Sequence, residues 1–100
     1  MPFNQFTPRN FTNDAIQMYA PVTSGVYGIS NAREWIYIGE TDNIQSALMT
    51  HLQGLKTGLM KRGPTGFVFE VCDPGQRSSR QHRLVFEYEP SCNRKAGQIS

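Results

Sequence analysis

Residues 25–30 (GVYGIS) and 35–39 (WIYIG) are two short apolar runs separated by a few polar residues. Val, Ile, Tyr and Trp dominate both runs, and such residues suit a pleated, half-buried backbone. A separation this short leaves room only for an antiparallel hairpin. A hairpin alone cannot bury a core, so helices must cover it, and the flanking sequence supplies them.

On the N-terminal side, residues 1–10 are polar, carry two prolines and read as an arm. A helix then starts at Thr12, a capping residue, with Phe11 and Ile16 placed as a hydrophobic staple. Pro21 ends it, because Ala20 before a proline is pushed out of helical geometry. On the C-terminal side, Asp42 reads as the start of the next helix, with Gln45 in capping-box spacing. Ile44, Leu48, Leu52 and Leu55 recur at helical spacing as its buried stripe. Gly54 and Gly58 loosen its end, and Gly63-Pro64 is a turn. Residues 67–72 (FVFEVC) form a third strand. Asp73, Pro74 and Gln76 then read as the opening of a last helix. Leu84, Val85 and Tyr88 mark its buried face, and Pro90 stops it. The order is α-β-β-α-β-α: an α+β chain with a small antiparallel or mixed three-stranded sheet flanked by helices. One domain spans residues 25–93, preceded by the arm and short helix (1–24) and followed by a tail (94–100).

Composition narrows the function classes. Ten basic against eight acidic residues leave a net charge of +2, a slight lean toward nucleic acid. The basic residues gather in two stretches: Lys56, Lys61 and Arg62, then Arg77, Arg80, Arg83, Arg94 and Lys95. Cys72 and Cys92 have neither the spacing of a zinc module nor the density of a disulfide scaffold. No export signal and no membrane-length apolar run is visible, so a reduced cytoplasmic protein is expected, without membrane contact.

Taken singly, Tyr27 and Tyr37 are ordinary strand residues and His51 an ordinary half-buried histidine. Their joint order is more informative. Gly25-Val26-Tyr27, Tyr37-Ile38-Gly39, Asn43, His51 on a helix, then Pro90 and Asn93 together resemble the GIY-YIG endonuclease domain, over residues 25–93. The resemblance implies metal-assisted cleavage of a phosphodiester. It matches Tyr27 to a tyrosine that helps activate the attacking water, and Tyr37 and His51 to groups lining the scissile phosphate. Gly25, Gly39 and Asn93 match structural positions. Such chemistry depends on positioning and on charge that meets developing negative charge. A tyrosine hydroxyl, with a free pKa near 10, serves only beside a cation or metal.

The sequence departs from the family where that charge is required. The family's arginine falls at Ala47, four residues before His51. Its metal-binding glutamate falls at Gln81, twelve residues before Asn93. Glu87 lies about 240° round the helix from Gln81, and Glu89 roughly 12 Å further along the axis, so neither replaces it. Glu70 could serve only if its strand turned it toward the tyrosines. The expected function is therefore a nuclease-like domain with a degenerate centre that binds DNA weakly and without sequence preference. Lys56, Lys61, Arg62, Arg77, Arg80 and Arg83 supply the attraction. Two alternatives stand beside it: an endonuclease with altered site residues, using magnesium or manganese, and a module that binds another protein. No cofactor is expected unless the chain is catalytically active.

Overall fold

A computed structural model describes residues 8–53 and 63–91. The elements are β1 (Arg9–Asn10), α1 (Asn13–Tyr19), β2 (Gly25–Ser30), β3 (Trp35–Thr41), α2 (Ile44–Gln53), β4 (Gly66–Val71) and α3 (Arg77–Tyr88). The strands make one sheet in the order β1-β4-β2-β3, with every pairing antiparallel. This α+β arrangement settles the sheet type and corrects its strand count from three to four. The added strand comes from the expected arm: Arg9 and Asn10 pair with Phe67 and Gly66, and Phe11 N–H donates to the Thr65 carbonyl at 2.9 Å. A two-residue pairing of polar residues rests on backbone groups alone, so it leaves no periodicity to read.

Several local signals act as the sequence suggests. Thr12 caps α1 by accepting from Ala15 N–H at 3.2 Å, and Phe11 and Ile16 are both buried. The helix ends at Ala20, which is extended at φ −80° and ψ 126°. In the hairpin turn, the Asn31 side chain accepts from Arg33 and Glu34 N–H at 2.8 and 2.9 Å.

Two caps differ from expectation. At α2 the cap is Asn43, not Asp42: its Oδ1 accepts from Ser46 N–H at 3.0 Å. Gln45 closes no box; its amide donates to the Ala20 carbonyl at 3.1 Å and ties α2 to the end of α1. Residues 74–76 form a turn, and α3 starts only at Arg77, with no side-chain cap at Gln76. The Asp73 backbone carbonyl takes the Gln76 and Arg77 N–H groups instead, at 2.9 and 3.1 Å. Glu89 closes α3 in the left-handed region at φ 50°, and Pro90 follows it.

Strand alternation divides the core between the two faces of the sheet. On one face Tyr27, Ile29 and Phe67 pack with Phe11, Ile16, Ala20, Ile44 and Leu48 from α1, α2 and their flanks. On the other, Val26, Ile38 and Val68 pack with Leu84 of α3. Leu52, Val85 and Tyr88 are half-buried against these clusters. Lys56, Lys61, Arg62, Asn93 and Leu55 lie outside the described residues. Among the described residues no helix is long and apolar enough to cross a membrane.

Candidate functional site

The hairpin register sets Tyr27 opposite Gly39 and Tyr37 opposite Ile29, so both tyrosines share the α2 face. Gly39 is there because nothing larger fits: a Cβ would stand 2.6 Å from the Tyr27 hydroxyl and 2.8 Å from Tyr37 Cε2. Both rings would have to move. Gly25 has a comparable role at the strand's start. A Cβ there would collide with the Glu70 backbone carbonyl and come within 2.7 Å of Ile44 Cδ1. These two glycines let α2 and the tyrosine rings settle against the backbone.

His51, in the last turn of α2, completes the cluster. Its Nε2 and the Tyr27 hydroxyl share a hydrogen bond of 2.8 Å. Ring centroids are 5.5 Å apart for Tyr27 and His51, 5.1 Å for Tyr37 and His51, and 6.1 Å for the two tyrosines. Burial pushes the Tyr27 phenol well above its usual pKa, and the adjacent Tyr37 hydroxyl adds to the rise. Burial likewise lowers the His51 imidazole. Both groups are thereby held neutral near pH 7, because each would have to carry its charge away from water. The centre has hydrogen-bonding capacity without charge.

The two positions that the resemblance matches to charged residues carry none. Ala47 is half-buried on α2 against the tyrosine-side core, one turn before His51. Gln81 comes from α3, on the opposite face, and its Nε2 donates to the Ile38 carbonyl at 3.1 Å. It therefore meets β3 beside Tyr37, but with its amide already engaged. Glu70 pairs across the sheet with Val26, whereas Tyr27 pairs with Phe69. The carboxylate thus faces α3, away from the tyrosines. Arg80 grips it through two hydrogen bonds of 2.7 and 2.8 Å.

Arg77 is similarly committed, donating to Glu40 at 2.8 Å and to Ser24 Oγ at 3.3 Å. Along the chain Arg77, Arg80 and Arg83 form one basic set, but Arg80 and Arg77 pair with carboxylates ten and thirty-seven positions away. No spacing rule signals such pairs. Arg83, Glu87 and Glu89 are exposed.

Magnesium prefers anionic oxygen ligands in octahedral array. Gln81 offers a neutral amide oxygen, and its nitrogen is tied to Ile38. Among the described residues no group of three or more His, Cys, Asp or Glu side chains could hold a metal ion. Among the described residues, the position matched to the metal-binding glutamate supplies no anionic ligand for a divalent cation beside Tyr27.

No family model matches the sequence, and no curated protein matches it. Solved structures do match. The magnesium-bound GIY-YIG N-terminal endonuclease domain of UvrC from Thermotoga maritima aligns with a TM-score of 0.64 and 21% identity, over 75% of this chain and 91% of that one. A tyrosine-to-phenylalanine point mutant of the same domain, bound to the catalytic divalent cation, gives 0.64 and 20% over 75% and 90%. The chain has a GIY-YIG-like fold, that of a nuclease domain.

Proposed function

We propose that this chain is a nuclease-fold domain with a degenerate catalytic centre, acting as a weak, sequence-tolerant binder of nucleic acid. The observation that carries the reading is the hydrogen bond from Gln81 Nε2 to the Ile38 carbonyl. The resemblance assigns that position a metal-binding carboxylate, and here the side chain is a donor holding a helix to a strand. Ala47 adds nothing that could meet a phosphate's charge. Tyr27, buried and held protonated, has no neighbouring cation among the described residues to stabilise its phenolate.

An arginine that stabilises a phosphoryl transition state is worth on the order of 10³–10⁵ in rate. Loss of the carboxylate acts on the same transition state, so the two losses do not simply add. The endonuclease alternative with altered site residues gains nothing from Glu70, which lies on the other face in the grip of Arg80.

Plasmid nicking with magnesium or manganese tests the reading directly. The chain should nick no faster than background. Nicking that requires the ion and disappears in Tyr27→Phe would show a live centre. The binding half is tested by fluorescence anisotropy with labelled oligonucleotides. Affinity should be micromolar or weaker at low salt, and log affinity should fall against log salt with a slope of about −2 to −4.

A further inference from the structure

If the domain binds nucleic acid, the tyrosine centre is poorly suited to hold it, being neutral, with Tyr27 buried. Arg77 and Arg80 are also spent on Glu40 and Glu70. The outer face of α3 presents a different arrangement. Phe86 is 87% exposed, the most exposed large apolar side chain among the described residues. It shares an open hollow of about 570 Å³ with His82, Arg83 and Glu87. Residues 82, 83, 86 and 87 lie three or four apart, so they fall on one side of the helix. An exposed aromatic ring beside a guanidinium and an imidazole offers a flat face for a base and donors for the adjoining phosphate. A duplex keeps its bases stacked and cannot use the ring in this way, whereas a single strand can.

We propose that the outer face of α3 is a single-stranded nucleic-acid site, with Phe86 stacking on an unpaired base and Arg83 and His82 holding the adjacent phosphate. This placement rests on the binding reading above. It selects single strands over duplex through the ring, since Arg83 and Glu87 offset one another in net charge. A lone ring is too small to anchor a stable protein interface, which buries roughly 800 Å² on each partner.

The test uses the full chain with fluorescein-labelled oligo(dT) and a duplex of equal length, at low salt. Oligo(dT) should bind more tightly than the duplex. Phe86→Ala should weaken oligo(dT) binding about fivefold or more and remove the preference over duplex, leaving the salt slope unchanged. Arg83→Ala should weaken both and make the slope shallower by about 0.7. Both side chains are exposed, so thermal unfolding of each variant should match the parent. Equal binding by Phe86→Ala, or a parental preference for duplex, overturns the placement and leaves the binding reading standing. Absence of binding to either probe removes both. Phe86→Ala that abolishes self-association in sedimentation while sparing oligo(dT) binding would assign the face to a protein partner and overturn the placement.

Discussion

The two faces of the central sheet handle polar groups in opposite ways. On the α2 face, Tyr27, Tyr37 and His51 form a neutral cluster over Gly39, with Ala47 supplying only a methyl group. On the α3 face, Glu70, Arg80 and Gln81 form charged and polar ties that bind helix to sheet. Along the chain nothing tells which of these residues share a face. In space, strand alternation sends Tyr27 to one side and Glu70 to the other. A nuclease needs tyrosines and charges to converge on one phosphate. Here Tyr27 and the Glu70 carboxylate lie on opposite faces of the sheet, and Arg80 ties that carboxylate to α3.

The largest effects should come from the apolar cores that back the two faces. Leu48 and Leu84 are both fully buried, one on each side. Leu→Ala at either should cost roughly 2–5 kcal/mol, measured by urea unfolding. A loss confined to one face, with the other still protected in hydrogen exchange, would show that the faces unfold separately and would sharpen the contrast.

The charged ties should rank by burial. The Arg80–Glu70 side chains are 15% and 13% exposed, against 24% and 33% for Arg77–Glu40. Arg80→Ala strands a mostly buried carboxylate and should cost about 1.5–3 kcal/mol. Arg77→Ala should cost under about 1 kcal/mol, since a more exposed pair is largely screened. Equal costs would contradict the view that the α3 face depends on the inner pair.

Gln81→Glu breaks the comparison most directly, because it supplies the missing carboxylate. A carboxylate cannot donate to the Ile38 carbonyl and would be set against it, so the variant should lose about 1–3 kcal/mol at pH 7. At acid pH the protonated carboxyl can donate again, and the gap from the parent should narrow. A variant as stable as the parent at pH 7 would mean the Gln81 bond contributes little. Joined with Ala47→Arg, it would then be the natural background in which to look for restored nicking.

The smallest effect concerns His51. Burial lowers its pKa below the usual 6.5, so the unfolded chain takes up a proton first as pH falls. Stability should therefore decline as pH drops through the unfolded value near 6.5, and His51→Gln should flatten that decline. An imidazole that titrates by NMR at or above 6.5 would contradict the buried, neutral centre.

Much of the architecture was legible because its signals are local. The hairpin followed from two β-rich runs and a short turn, α1 from Thr12 and its staple, and the ends of α1 and α3 from Pro21 and Pro90. Tyr27, Tyr37, Gly39 and His51 could be gathered in advance by their order along the chain. The structure brings them together, with Gly39 giving way to the tyrosine rings. The β1 strand was missed because a two-residue pairing leaves no periodicity, and the caps of α2 because two local signals compete. Asp42 and Asn43 are both capping residues in adjacent positions, and only the Asn43 side chain meets Ser46 N–H. Gln45 could have closed a box, but the nearby end of α1 offered its amide a carbonyl.

The sequence by itself determined the order of the elements from α1 to α3, though not β1, and the pairing of the hairpin, since these depend on neighbours a few residues apart; it also left positions 47 and 81 without charge. Only the tertiary structure decided that Arg80 belongs to Glu70 and Arg77 to Glu40, that Gln81 holds the Ile38 carbonyl, and that Phe86 stands open beside Arg83. An ion pair or a shared hollow is fixed by which face a strand residue takes and by how a helix docks over it. Those are properties of the folded sheet, set jointly by residues dozens of positions apart, and no spacing along the chain encodes them.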